Sequence, residues 1–141
     1  MALGALSHIA FTVADLDRSA AFYDRVLGFL GYERWPAVDG QAKWKKPDVG
    51  IVLLYAALAD RKTRAHDRYA PGLHHFSFHA DSRDQVDALH DLLRTMAAPI
   101  LDPPADYAYT SGYYAVFFAD PDGLKLELCY APHAYTKPGT T

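Results

Sequence analysis

The stretch "LHHFSFHADSRDQVDALHDLL", residues 73–93, contains four of the seven histidines in this 141-residue chain. Its pattern recurs near the N-terminus as "LSHIAFTVADLDRSAAFYDRVL", residues 6–27. In both copies apolar and polar residues alternate with period two, which is typical of a strand with one buried face, and an amphipathic helical segment follows. The repeat places His8 over His75, each on the more polar face of its strand.

Short polar segments follow both strands and predict helix starts. They read "ADLDRS" at 14–19 and "ADSRDQ" at 80–85, and Asp and Ser are favoured at helix N-caps. We interpret Gly28 as the C-cap of the first helix, and we expect the second helix to end before Pro99.

The two copies also close alike, with "GIVLLYAA" at 50–57 and "GLKLELCYAP" at 123–132. The turn sequence "DPDG" at 120–123 leads into the second of these strands. Between helix and closing strand there is room for two more strands in each copy, expected near 31–37, 41–46, 99–103 and 113–118. Each half therefore reads β-α-β-β-β, which predicts an α+β fold.

Composition narrows the class of protein. The formal net charge is −3 and half of the residues are hydrophobic, so we expect a globular protein without the basic stripe that nucleic acid requires. The longest apolar run, 50–59, is about half the length of a membrane helix. Cys129 is the single cysteine, which excludes an internal disulfide. No signal peptide is read, and we expect a cytoplasmic protein with no membrane partner.

Three segments carry a resemblance to a known family: "HIAFTVADLDRSAAFYDRVLGF", "GLHHFSFHADS" and "FFADPDGLKLEL". Over residues 5–131 the chain resembles the vicinal oxygen chelate superfamily, which includes glyoxalase I, extradiol dioxygenases and bleomycin-resistance proteins. The resemblance implies a single domain in which two modules form a cupped eight-stranded mixed sheet with the helices outside. The implied division is module 1 at 5–58, linker at 59–71, module 2 at 72–131 and tail at 132–141.

The resemblance also implies a set of metal ligands, which it places on the first and last strand of each module. These positions correspond to His8, His75 and Glu127. The fourth falls on Leu54, if Gly50 is aligned with Gly123, and leucine cannot bind a metal. Two imidazoles and one carboxylate can hold one divalent ion (Fe, Mn, Ni or Zn) and leave coordination positions open. Glu127 is thus also a candidate catalytic group, and Leu54 would line the substrate site.

Further candidates surround this set. His79 shares a face with His75 and is an acid–base candidate, although a solvated strand end is the simpler interpretation. Tyr113 and Tyr114 begin a strand, so one should point toward the ligands and the other toward the helix. We expect Tyr114 to act as a catalytic hydroxyl and Tyr113 to contact substrate.

Three other side chains are expected to bind substrate. Tyr109 lies in a tyrosine-rich loop, where aromatic packing is the alternative. Lys125 could bind an anionic group or extend into water from the strand end. Trp44 could line an apolar wall or fill the core between sheet and helix.

The leading hypothesis is a metal-dependent enzyme that acts on a small oxygenated molecule. Glyoxalase-like isomerisation, ring-cleaving dioxygenation and thiol transfer remain open, the first being weakened by Leu54. The alternative is a binding protein of the bleomycin-resistance type that sequesters a small molecule without chemistry. We expect a homodimer whose sites take His8 from one subunit and His75 with Glu127 from the other.

Overall fold

The computed structural model describes residues 3–135. Contacts divide the chain into two compact units between Ala65 and His66, inside the segment interpreted as a linker. Within the described residues each unit has the order strand, helix, strand, strand, strand. The predicted α+β tandem repeat is therefore confirmed. Residues 136–141 of the predicted tail lie outside the described range.

The first unit is a four-stranded mixed sheet with one helix. Its elements are β1 (His8–Val13), α1 (Leu16–Phe29), β2 (Glu33–Trp35), β3 (Gln41–Lys46) and β4 (Gly50–Ala56). The strand order is β1-β4-β3-β2, with β1 parallel to β4 and the other pairs antiparallel. Helix α1 contacts β2, β3 and β4.

The second unit repeats this plan. Its elements are β5 (Phe76–His79), α2 (Arg83–Thr95), β6 (Ile100–Asp106), β7 (Tyr114–Ala119) and β8 (Lys125–Tyr130). The order is β5-β8-β7-β6, again with one parallel pair, β5 and β8. Strand β6 is longer than predicted, and its pairing with β7 is irregular around Pro103 and Pro104. Proline lacks an amide donor, and an edge strand tolerates that loss.

Both helices begin where the sequence predicted. The side chain of Asp15 accepts a hydrogen bond from the Arg18 amide, and that of Ser82 accepts one from the Gln85 amide. The interpretation of Gly28 as a cap was wrong, because α1 continues through it to Phe29. Gly31 instead takes the left-handed conformation after the helix, with φ +81°, which glycine adopts without steric cost.

Each sheet has one face against its helix and one polar face. In the first unit the helix-side face carries Phe11, Trp44 and Leu54, which are all buried. In the second unit Leu126 and Leu128 are buried on the corresponding face, which α2 covers. The alternate residues of the same strands are left for the polar faces, where function can be placed.

Strand register corrects one predicted alignment. Leu53 pairs with Ala10 and Glu127 pairs with Ser77, two residues beyond His8 and His75 respectively. Leu53, rather than Leu54, therefore occupies the position of Glu127. The alignment of Gly50 with Gly123 was one residue out, because β4 begins at Gly50 whereas Gly123 still belongs to the turn before β8. A one-residue shift moves a side chain to the opposite face of a sheet.

The predicted turn before β8 is also present. The buried carboxylate of Asp120 accepts hydrogen bonds from the amides of Asp122 and Leu124, both at 2.9 Å, and Gly123 has φ +84°. This turn fixes the start of β8 and hence the face of the sheet on which the Glu127 side chain lies. Over residues 3–135 no helix is both long and apolar enough to cross a bilayer.

Candidate functional site

A buried carboxylate lies at the centre of the second unit's polar face. Glu127 on β8 is 2% exposed, and an ionised group at such depth is costly unless it is paired. Its Oε1 accepts a 2.5 Å hydrogen bond from the Tyr113 hydroxyl. Its Oε2 lies 3.3 Å from Nε2 of His75. Two polar partners thus hold the two carboxylate oxygens separately.

His75 sits immediately before β5 and is about one-third exposed. Its Nδ1 lies 2.7 Å from Nδ1 of His74, so one of these nitrogens donates to the other. His74 is not among the residues predicted from the sequence to form the site. Proximity of the pair was not readable from the sequence, because adjacent residues in a regular strand point to opposite faces. Partial desolvation, with smaller contributions from His75 and Lys125, lowers the pKa of His74.

The two adjacent tyrosines separate as expected, and the one that points toward the predicted ligands is Tyr113. Tyr113 reaches Glu127, whereas the Tyr114 hydroxyl donates to Asp87 of α2 at 2.7 Å. The Arg83 guanidinium lies over the Tyr114 ring at 3.8 Å. Tyr114, expected to be catalytic, is therefore not brought to the site, because it begins the strand with its side chain on the helix face.

The Tyr113 hydroxyl is held in its neutral form. Burial, followed by hydrogen bonds involving Cys129 and Glu127, raises the pKa of Tyr113 far above its ordinary value of 10.0. A neutral phenol beside a carboxylate can only donate, so Tyr113 directs one oxygen of Glu127 and leaves the other for His75.

Aromatic rings form a wall beside this carboxylate. Tyr107 and Tyr109 stack with centroids 5.5 Å apart, and Tyr109 meets Tyr113 edge-on at 5.2 Å. Tyr107 also contacts Phe117. Tyr109 is exposed, as a substrate-contacting ring would be. The clustering of tyrosines in residues 107–114 was the sequence signal for this wall, while Phe117 carried no distinguishing signal.

Lys125 and His79 flank the carboxylate along the strands. The Lys125 ammonium lies 4.0 Å from the centroid of the Phe117 ring, so it remains at the site instead of extending away. His79 ends β5 opposite Cys129 and is exposed. It shares the face of His75 but lies four residues further along the chain. Cys129 accepts a 3.4 Å hydrogen bond from Ser77.

The first unit holds the remaining predicted residues. His8 is exposed at the start of β1, where Ser7 Oγ lies 3.3 Å from its Nδ1. Leu54 is fully buried, and Trp44 is 1% exposed with its indole donating to Asp24 at 2.8 Å. Neither Leu54 nor Trp44 is available to substrate, because both belong to the core between sheet and helix.

A complete metal-ligand cluster is not formed among the described residues. Within residues 3–135, no group of three or more His, Cys, Asp or Glu side chains is close enough to hold an ion. His75 and Glu127 supply two of the three predicted donors. His8 occupies the matching register position in the first unit.

Comparisons with known proteins agree with this fold. Residues 5–128 match the sequence model of the Glyoxalase/Bleomycin resistance protein/Dioxygenase superfamily. The uncharacterized Bacillus subtilis protein YqjT is 34% identical over 124 residues, which are 87% of this chain and 96% of that protein. Glyoxylase I 4 of Arabidopsis thaliana is 26% identical over 130 residues, 90% of this chain and 71% of its own length.

Solved structures give the same result. A proposed glyoxalase from Bacillus halodurans superposes with a TM-score of 0.80 at 32% identity, covering 92% of this chain and 97% of that one. The chain belongs to the Glyoxalase/Bleomycin resistance protein/Dioxygenase superfamily.

Proposed function

We propose that this protein is a metal-dependent enzyme of the superfamily that acts on a small oxygenated molecule. His8, His75 and Glu127 are the proposed ligands of one divalent ion, drawn from Fe, Mn, Ni and Zn. The observation that carries the proposal is the pairing of buried Glu127 with His75, whose nearest atoms lie 3.3 Å apart. The matching position of His8 in the repeat supports the third ligand.

The spacing of this pair fits a shared ion. Two donor atoms each about 2.1 Å from a tetrahedral ion are themselves about 3.4 Å apart. The chemistry also fits, since a neutral imidazole and a carboxylate are common ligands of these metals. A buried carboxylate whose partners among the described residues are one imidazole and one phenol is the type of group that a divalent ion would stabilise further.

The residues around the proposed ion suggest a separate role for each group. The ion would act as a Lewis acid on a carbonyl or enolate oxygen. Tyr113 would orient Glu127 by donating to Oε1, as supporting hydrogen bonds do at metal sites. The rings of Tyr107 and Tyr109 would pack against the substrate and exclude water. Lys125 would attract a negative group.

The metal proposal is tested by binding measurements on purified protein. We expect wild type to bind close to one Zn²⁺ or Mn²⁺ per chain, and Glu127→Gln to weaken the affinity at least tenfold, because it removes the charged ligand. Glu33→Gln, which alters the chain's other glutamate, is the matched control. His75→Ala removes a second proposed ligand, and its matched control is His66→Ala, at an exposed position in the linker. Equal affinity in Glu127→Gln and wild type would reject the proposal.

The proposal gives priority to two reaction classes, glyoxalase-like isomerisation and ring-cleaving dioxygenation. The resemblance to Glyoxylase I 4 supports the first. Leu53 at the position of Glu127 disfavours it, since a four-ligand glyoxalase site would need a donor there. We expect weak turnover of a glutathione hemithioacetal by the metal-loaded protein. Oxygen uptake with catechols tests the dioxygenase. Robust hemithioacetal turnover would establish that three protein ligands suffice.

We further propose that the active form is a homodimer with sites shared between subunits. Mixing His8→Ala with Glu127→Gln chains should then restore metal binding in the mixed dimers, to one intact site of two. If mass measurement confirms reassortment and no binding returns, the shared arrangement is wrong, while the metal proposal stands on its own variants.

A second candidate function is sequestration of a small molecule without chemistry. Both ring nitrogens of His75 already have protein partners, Glu127 and His74, and a wall of tyrosines, of which Tyr109 is exposed, lies beside them. A protein that stays metal-free after dialysis against all four metals, yet binds aromatic ligands, would support this candidate.

A further inference from the structure

The first unit contains a cavity that the proposed metal site does not use. It has a volume of about 230 Å³, and its lining includes Ser7, Glu33, Trp35, Lys45, Asp48 and Ile51. A single water needs only roughly 10–15 Å³ by this kind of measure. The cavity is therefore large enough for part of an organic molecule.

The cavity opens on the polar face of the first sheet, beside His8. Register places His8, Ile51, Lys45 and Glu33 in one row across the four strands. Ile51 and Lys45 line the cavity, and so does Ser7, the immediate neighbour of His8. A molecule held here would lie next to the first unit's proposed metal ligand.

Lys45 provides the cavity with a cation. Its ammonium lies 4.1 Å from the centroid of the Trp35 ring, and within residues 3–135 it forms no ion pair with a carboxylate. The neighbouring ammonium of Lys46 is already engaged, because it donates to the Leu30 carbonyl at 2.8 Å. Lys45 is therefore the cation that can receive an anionic ligand group.

Trp35 provides the apolar surface. It is 45% exposed, in contrast to the fully packed Trp44 on the next strand. An exposed indole with a cation on its face offers a flat molecule a stacking surface and a charge at its edge. Ile51 and Pro47 add apolar contact, whereas the carboxylates of Glu33 and Asp48, which also line the cavity, oppose binding of an anion.

We infer that this cavity binds the carboxylate end of a small planar molecule, with the carboxylate on Lys45 and the planar part on Trp35. Calling that molecule the substrate rests on the proposed function. The binding itself does not, because none of these residues belongs to the proposed metal set.

The test uses benzoate as probe and the indole N–H signals of the two tryptophans in NMR spectra. We expect benzoate to shift the Trp35 signal saturably, while the Trp44 signal, buried and bonded to Asp24, stays in place as an internal reference. Benzamide keeps the ring but lacks the negative charge, and acetate keeps the carboxylate but lacks the ring. Both should bind more weakly than benzoate.

Three variants test the inference, because they are expected to weaken, tighten and leave unchanged the binding of benzoate. Lys45→Gln should weaken benzoate binding roughly tenfold, the order expected of one charge-assisted hydrogen bond. Glu33→Gln should tighten it by removing a like charge. Lys62→Gln, in the exposed linker, should leave it unchanged. Absence of a Trp35 shift, equal binding of benzamide, or no effect of Lys45→Gln would overturn the inference.

The outcome is separable from that of the metal proposal. Benzoate binding is measured in metal-stripped protein and again with Zn²⁺ added. If the protein binds benzoate but does not bind zinc, the proposed function alone is rejected. The reverse result would reject the cavity inference alone.

Discussion

The two units share a topology and a register but present different chemistry on their polar faces. At the position where the second sheet carries Glu127, the first carries Leu53, and where the second has Phe117, the first has Lys43. At these two matched positions the second unit thus has an acid and an aromatic ring, and the first has an aliphatic side chain and a lysine. The repeat fixes where side chains point, while individual substitutions decide the chemistry at each matched position.

The largest expected effect tests the register on which this comparison rests. Leu54→Glu should destabilise the protein by about 3 kcal/mol or more, because it places a carboxylate in the core between sheet and helix. Leu53→Glu should cost about 1 kcal/mol or less, since its side chain lies on the polar face. Urea denaturation of the two variants measures both. The reverse order would show that Leu54, and not Leu53, corresponds to Glu127.

The two tryptophans sharpen the distinction between core and polar face within the first unit. Trp44→Phe should lower the free energy of unfolding by about 2 kcal/mol, through lost volume and the lost hydrogen bond to Asp24. Trp35→Phe should change it by less than about 0.5 kcal/mol. Thermal denaturation checks both. Similar losses for the two variants would contradict the placement of Trp44 in the core.

Adjacent tyrosines provide the corresponding pair in the second unit. Tyr113→Phe should weaken metal binding by roughly tenfold, because Glu127 loses the donor that orients it. Tyr114→Phe should leave metal affinity unchanged, since that hydroxyl bonds to Asp87 on the other face. Metal titration followed by calorimetry measures both affinities. A larger effect for Tyr114→Phe would return the catalytic role to the residue that the sequence first suggested.

The smallest expected effect is a change in alkaline stability. The pKa of Tyr113 is raised by burial and by its hydrogen bonds, so the unfolded chain releases this proton at lower pH than the folded one. The stabilisation is therefore complete below the ordinary tyrosine pKa of 10.0 and is lost as the pH rises above it. Wild type should lose stability above this pH more steeply than Tyr113→Phe. Parallel slopes in denaturation series would contradict this.

Periodicity made most of the fold readable from the sequence. The alternation in residues 6–13 and 73–80 predicted two matching strands, and helix caps at Asp15 and Ser82 followed from local chemistry. The cap at Gly28 failed because a second glycine, Gly31, follows three positions later, and local pattern does not decide which of the two takes the left-handed conformation. The Leu54 alignment failed for a similar reason, since the Gly50 and Gly123 anchors lie at different distances from their strand starts.

The candidate site was only partly readable. His75 and Glu127 followed from the repeat and from the resemblance, and the structure places them together. The choice between Tyr113 and Tyr114 depended on the phase at which β7 begins, and a boundary error of one residue reverses it. Trp35, like Trp44, could be read from the sequence as either an apolar wall or core packing, and Lys45 gained significance only when strand pairing brought it to the same cavity.

The most direct test of the central claim is the position of the metal itself. In crystals grown with Zn²⁺ or Mn²⁺, we expect one anomalous peak per chain about 2.1 Å from both His75 Nε2 and Glu127 Oε2, with His8 as a further ligand and Tyr113 still bonded to Oε1. The account would be contradicted by fully loaded crystals in which no peak lies there and His75 remains in direct contact with Glu127.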